Sequence, residues 1–245
     1  MDISVVLPIY NEEYLLPSIG RAILRDMQGM DRPTEIIAVD NGSCDRTAEH
    51  LHDLMREGGG AIREVRLHDR DYGAALKKGI LEARGRVRAM VDLDMWRKEF
   101  LRKALAHIDA GAAIVVGCKD PAFDRRPGLR RLATAVHARL LREAFPELKG
   151  LDCHGSLVLD WRRCDAVFAG CRLDGDTFKP EFLIRAVRSG LPIALEPVSV
   201  EELRPARTSL AVRVFAYLPK LWRLRRLFAE EASRSSSRPR QGCAG

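Results

Sequence analysis

VRAMVDLDM, residues 87–95, decides the fold. Val87 to Val91 is an apolar, strand-sized run that stops at Asp92-Leu93-Asp94. A buried strand ending in two carboxylates one residue apart places both at its carboxyl end, where open α/β sheets gather ligands. Two such carboxylates reach one hard cation, since Mg2+ and Mn2+ prefer oxygen and bind through one or two carboxylates plus substrate phosphates. A lone D-x-D occurs by chance in many loops, so its neighbours carry the argument.

Two other strand ends repeat the signal. Residues 3–8 form a β-branched run leading to Pro8-Ile9-Tyr10-Asn11-Glu12, and EIIAV (35–39) ends at Asp40-Asn41-Gly42-Ser43. Helical segments alternate with the strands. One starts near Glu12-Glu13 with Asn11 as cap and runs past Leu24. Another follows Asp45 to about Met55 and is broken by Gly58-Gly59-Gly60. Ile62 to Leu67 reads as a third strand, Tyr72 to Ala83 as a helix with Lys77 and Lys78 on its exposed face, Lys98 to Ala110 as a helix and Ala112 to Gly117 as a fifth strand. The second half is less regular, with helices at Arg130 to Phe145 and Pro180 to Ser189 and strands at Ser156 to Leu159 and Ile193 to Val200. The alternation predicts a mostly parallel sheet with helices on both faces.

With 46% hydrophobic and 31% charged residues in a chain of 245, the composition is that of a globular protein and excludes wholesale disorder. Six cysteines without a C-x-x-C pair argue against a disulfide framework or zinc ribbon, and reduced thiols are expected. The net charge of +7 suits nucleic acid, anionic lipid or a phosphorylated substrate equally. An aromatic content of 6%, with no RNP or helix-turn-helix pattern, argues against nucleic acid. Met1-Asp2 leads straight into the first strand, and no apolar run reaches spanning length, so a cytoplasmic protein without targeting peptide is expected.

The chain resembles the family 2 glycosyltransferases of GT-A fold, and is similar to the dolichol-phosphate mannose synthases and related polyprenyl-phosphate glycosyltransferases. The resemblance rests on VVLPIYNEE (5–13), EIIAVDNGSCDRT (35–47), YGAALKKGILEARG (72–85), VRAMVDLDM (87–95), GS (155–156) and FKPEFLIRAVRSGLPIALEPVSVEELRPARTS (178–209). It implies a Rossmann-like sheet within a domain over 1–210 and a nucleotide-diphosphate sugar as donor. Pro8, Tyr10 and Glu12 match positions that hold the nucleoside, and Asp40 the aspartate that recognises base or ribose. Asp92 and Asp94, with Leu93 between them, match the D-x-D that binds Mg2+ or Mn2+ and through it the diphosphate. Lys119 stands where the family often has arginine, and Arg204 and Ser209 match a segment over the donor phosphates. Asn41 departs from a common second aspartate, Trp96 replaces a frequent polar metal ligand, and Cys153-His154 precedes Gly155 where a small hydroxyl residue is usual.

Plainer roles compete for the same residues. Asp40 can cap its turn, Glu12 can favour a helix start, Lys119 can be solvated surface and Arg204 can pair with Glu202. His154 reads as structural and Cys153 as a small buried residue. The acceptor decides whether a base is needed: a hydroxyl requires one, and an ionised lipid phosphate does not. Asp176 and Glu181 are the candidate bases, while DGDTFKPE (174–181) resembles the lipid-phosphate subfamily and makes a polyprenyl phosphate the favoured acceptor.

From Leu203 to Ala229 no acid occurs, but Arg204, Arg207, Arg213, Lys220, Arg223, Arg225 and Arg226 do. Within it, residues 211–231 read as a basic amphipathic helix, suited either to an anionic membrane at the inner face of the plasma membrane or to packing on the catalytic domain, and kinked or divided at Pro219. Residues 232–245, rich in Ser, Arg, Pro and Gly, read as a disordered tail.

Overall fold

The structure, a computed structural model, describes residues 1–124, 128–200 and 210–236. The first half folds as the alternation predicts: β1 (Ile3–Ile9), α1 (Arg21–Gln28), β2 (Thr34–Asn41), α2 (Thr47–Glu57), β3 (Ile62–Leu67), α3 (Tyr72–Glu82), β4 (Val87–Met90) and α4 (Lys98–Asp109). There follow β5 (Ile114–Asp124), α5 (Gly128–Ala144), β6 (Leu157–Asp160), α6 (Trp161–Ala169), α7 (Phe178–Arg188), β7 (Ile193–Val200) and α8 (Leu210–Ser236). The seven strands lie in the order β3-β2-β1-β4-β6-β5-β7. β6 runs antiparallel to both of its neighbours, and every other pairing is parallel.

Side chains alternate between two apolar layers, as the period of a strand requires. Val6, Val39, Met90, Val116 and Leu157 face one layer, with α3, α6 and α7 residues. Val5, Leu7, Ile36, Ala38, Ala89 and Val158 face the other, with α1, α2 and α4 residues. Strands buried on both faces explain why β1 and β2 read as continuous apolar runs. α3 lies hard against the sheet at Gly79, where a Cβ would come within 2.3 Å of Val6 Cγ1.

At the amino edge of the sheet, the Glu35 carboxylate accepts from Ser4 Oγ at 2.6 Å, Arg84 N at 2.7 Å and Arg63 Nη2 at 3.1 Å. Burial pushes this carboxyl up, but the three donors outweigh it and hold it below its ordinary value.

Four local expectations are corrected. No helix starts at Glu12: the backbone N–H groups of Asn11, Glu12 and Glu13 donate to Ser43 Oγ, Thr47 Oγ1 and Asp45 Oδ2, and Asn11 takes a left-handed φ of 52°. A π-helical turn at Leu16–Gly20 precedes α1 instead. β5 runs to Asp124 rather than stopping at Gly117. α8 continues through Pro219 and on to Ser236, past the boundary expected at 231. Pro219 lacks an N–H but neither divides α8 nor ends it, because Tyr217, Leu221, Leu224 and Phe228 pin the helix to the core on both sides of the proline. Lys77 is not on the solvated face: its Nζ pairs with Asp174 at 2.8 Å and its side chain is 19% exposed, whereas Lys78 pairs with Glu82 at the surface.

Candidate active site

β1 lies between β2 and β4, and the chain reverses direction across the sheet there, so the carboxyl ends of these three strands open onto one crevice. Pro8, Tyr10, Glu12, Asp40, Asn41, Asp92 and Asp94 all come from those ends. Asp40 is buried; its Oδ1 accepts from Ser43 N at 2.9 Å and its Oδ2 faces Arg66 Nε at 3.4 Å. It therefore caps its turn and has an arginine beside it. Asn41 Oδ1 accepts from Asp71 N at 2.9 Å, which gives the departure from aspartate a structural use: an amide carries no charge next to Asp71. Glu12 is buried, and the Arg70 guanidinium lies 4.1 Å from the Tyr10 ring centroid.

The D-x-D forms a tight turn directly after β4. Leu93 is 1% exposed and pinned in the core, and both flanking carboxylates are part-exposed. Leu93 thus anchors the turn and does not present a side chain to a ligand. Tyr72, the first residue of α3, donates its hydroxyl to Asp92 Oδ1 at 2.9 Å and Oδ2 at 3.2 Å. Burial, the Asp92 charge and this hydrogen bond push the phenol well above its ordinary pKa, so it stays a donor. Trp96 turns away and donates Nε1 to Asp26 at 2.9 Å. Among the described residues no three His, Cys, Asp or Glu side chains are grouped so that they alone could hold a metal ion. Two hard carboxylates on one anchored turn fit a divalent ion that completes its shell from diphosphate and water.

Lys179, 3% exposed, donates Nζ to Gly155 O at 3.0 Å and lies 5.4 Å from the Tyr72 ring centroid. Burial lowers its pKa, and Asp92 and Asp152 oppose that shift. Lys119, on the extended β5, is 3.4 Å from Asp152 and is not solvated surface. Burial pushes Asp152 up, but Lys119 and the His154 N–H pull it below its usual value. Burial lowers the His154 pKa against the Asp152 charge, and it pushes the Cys153 thiol up to about 12.

The other wall is the turn at residues 174–177. Asp71 Oδ1 accepts from both Ala74 N and Gly175 N at 2.8 Å, so it caps α3 and holds this turn at once. Gly73 permits the approach: a Cβ there would stand 2.4 Å from Gly175 N. Asp176 is exposed and paired with Lys220 of α8. Glu181 is corrected as a candidate base. It is fully buried; Arg172 N and Leu173 N donate to its carboxylate at 2.9 and 2.7 Å, and Arg185 Nε at 2.9 Å. Arg185 in turn bridges to Glu231 of α8 at 2.7 Å, so Glu181 ties α7 to its surroundings and both of its oxygens are engaged by donors. Arg204 and Ser209 lie outside the described residues.

Tyr72, Asp71, Asp152 and Lys179 join the site without having been singled out. Asp71-Tyr72 carried a readable helix-cap signal, but nothing in the sequence marks which hydroxyl meets Asp92. Lys179 in FKPE reads as an ordinary polar residue of a helix start.

A mostly parallel, Rossmann-like sheet with D-x-D at the end of its fourth strand is the GT-A architecture. Residues 4–160 match the family profile of glycosyl transferase family 2, and the chain belongs to that family. It is similar to an undecaprenyl-phosphate 4-deoxy-4-formamido-L-arabinose transferase of Pseudomonas paraeruginosa, 31% identical over 189 residues, 73% of this chain and 52% of that protein. A dolichyl-phosphate beta-glucosyltransferase of Trichomonas vaginalis is 25% identical over 222 residues, 85% of this chain and 68% of that one. The chain thus spans about half the length of the first of these relatives. A crystal structure of glucosyl-3-phosphoglycerate synthase from Mycobacterium tuberculosis with Mn2+, UDP and glucosyl-3-phosphoglycerate superposes with a TM-score of 0.65 at 21% identity, over 92% of this chain and 76% of that one, a likeness of fold.

Proposed function

We propose that the chain is an inverting glycosyltransferase that moves a hexose from a nucleotide-diphosphate sugar, of GDP-mannose or UDP-glucose type, to a polyprenyl or dolichyl phosphate. The observation that carries this reading is the D-x-D turn: two part-exposed carboxylates at the switch point of the sheet, the first held by Tyr72. The names of the similar transferases, which specify undecaprenyl and dolichyl phosphate, support the acceptor.

Asp92 and Asp94 would hold Mg2+ or Mn2+, which supplies charge neutralisation to the departing nucleotide diphosphate. Tyr72 fixes the Asp92 carboxylate. The nucleoside lies over the ends of β1 and β2, beside Pro8, Tyr10, Glu12, Asp40 and Asn41. Lys119 adds positive charge to the crevice, and Arg204 and Ser209 are assigned to the donor phosphates. An acceptor phosphate oxygen attacks the anomeric carbon opposite the leaving diphosphate; the bond to the diphosphate breaks with its electron pair, and the centre inverts. The acceptor is already ionised and needs no base. The structural engagement of Glu181 and the pairing of Asp176 with Lys220 favour such an acceptor over a hydroxyl.

Among the described residues no helix is long and apolar enough to cross a membrane. The inner stripe of α8 is packed in the core, so membrane contact falls to its outer face, where Leu218 and Trp222 are exposed beside Arg223 and Arg225. That face suits peripheral contact with anionic lipid at the cytoplasmic side.

The test is release of nucleotide diphosphate by purified protein with Mn2+ or Mg2+, across GDP- and UDP-sugars, with and without a short polyprenyl phosphate. Lipid-dependent release that disappears in Asp92→Ala/Asp94→Ala supports the reading. Donor binding with turnover on a soluble hydroxyl instead overturns the acceptor, and absence of metal-dependent donor binding overturns the enzyme.

A further inference from the structure

A lysine is costly to bury, and Lys179 is buried at the second position of α7, directly beneath the crevice. Among the described residues its hydrogen bond goes to a carbonyl, Gly155 O at 3.0 Å, so no carboxylate in contact takes up its charge. Its Nζ lies 5.4 Å from the centroid of the same Tyr72 ring whose hydroxyl is bonded to Asp92. One aromatic ring therefore relates this ammonium to the first carboxylate of the D-x-D. The carboxylates whose charge favours the ammonium are Asp92 and Asp152.

A fixed cation at that place has two electrostatic consequences. It repels a divalent ion arriving at Asp92 and Asp94, and it attracts the diphosphate that such an ion would bridge. We propose that Lys179 is a resident cation of the donor site, which weakens divalent-ion binding at the D-x-D and lets a nucleotide diphosphate bind in the ion's absence. This rests on the donor reading above. It assigns Lys179 a charge role and no proton-transfer role.

The experiment compares the whole chain with Lys179→Met, an unbranched replacement of similar length, and with Lys179→Gln, which keeps an N–H for the Gly155 carbonyl. Mn2+ binding is read directly by electron paramagnetic resonance, and binding of UDP and GDP in EDTA by calorimetry. Near-ultraviolet circular dichroism shows that each variant is folded. Both variants should bind Mn2+ about tenfold more tightly and metal-free nucleotide diphosphate about tenfold more weakly. A gain in ion affinity is the informative sign, because damage to the pocket weakens both. Mn2+ affinity that is unchanged or weaker in a folded variant overturns the inference and leaves the donor reading standing. If the wild-type chain binds neither Mn2+ nor a nucleotide diphosphate with Mn2+ present, the donor reading fails and this inference fails with it.

Discussion

Glu181→Gln separates a catalytic carboxylate from a structural one. In the native chain the Glu181 carboxylate receives Arg172 N, Leu173 N and Arg185 Nε, all within 3.0 Å, at zero exposure. Glutamine keeps one acceptor oxygen and turns an NH2 group toward donors that then have nothing to meet. Breaking a buried ion pair by removing one partner costs about 3–5 kcal/mol, since the remaining charge is left uncompensated. Arg185 retains Glu231, 2.7 Å away, so the lower end of that range applies, about 3 kcal/mol. For a chain of this size that corresponds to a fall in Tm of roughly 6–12 °C. Thermal unfolding followed by circular dichroism measures it, alongside turnover well below the transition. The expected result is a clear loss of Tm with turnover per folded molecule within a few-fold of wild type. An unchanged Tm with turnover reduced a hundredfold would refute the assignment and restore Glu181 as a base.

Tyr72→Phe keeps the ring and removes the donor to Asp92; metal-dependent kcat/KM should fall about tenfold, the equivalent of one charge-assisted hydrogen bond, with Tm nearly unchanged. Equal activity would show that Asp92 needs no such partner. Glu35 has a folded pKa below its unfolded value, so its stabilisation is present above the ordinary carboxylate range and is lost as pH falls through the folded pKa. Urea unfolding of Glu35→Gln across the acid limb should show a lower plateau at neutral pH and a shallower acid slope than wild type; parallel slopes would count against the network at Ser4, Arg84 and Arg63. Leu218→Glu with Trp222→Glu should reduce binding to vesicles containing anionic lipid about tenfold or more, with donor binding intact, as read by co-sedimentation. Undiminished binding would move the membrane contact elsewhere.

The parallel half of the sheet and the D-x-D were legible because both rest on local signals: apolar runs of strand length, and polar residues where they stop. The turn-capping role of Asp40 was also open to a reader of the sequence. What escaped depends on distant partners. The helix expected at Glu12 begins further along because Ser43, Asp45 and Thr47, more than thirty residues away, bind residues 11–13 as a loop against the end of β2, with Asn11 at a left-handed φ. Glu181 resembled a base because no spacing rule shows Arg172 and Arg185 closing on it. Lys179 carried no signal because its burial is decided by where α7 meets the loop at Gly155. The α8 stripe at 217, 221, 224 and 228 has the period of a membrane-seeking face and of a core-packing face alike, and the sequence holds no term that separates them.

Asp71 has a consequence for anyone who would graft a new turn at 174–177 onto this sheet. A single carboxylate oxygen receives the N–H of Ala74 and the N–H of Gly175, and the backbone N–H of the same residue goes to Asn41. The turn at 174–177 is therefore not a module that can be lengthened or exchanged by itself. Its register is set by an atom of the residue that caps α3, and Gly73 leaves no clearance for a bulkier graft. Transplanting that turn from a relative requires moving residues 71–74 with it.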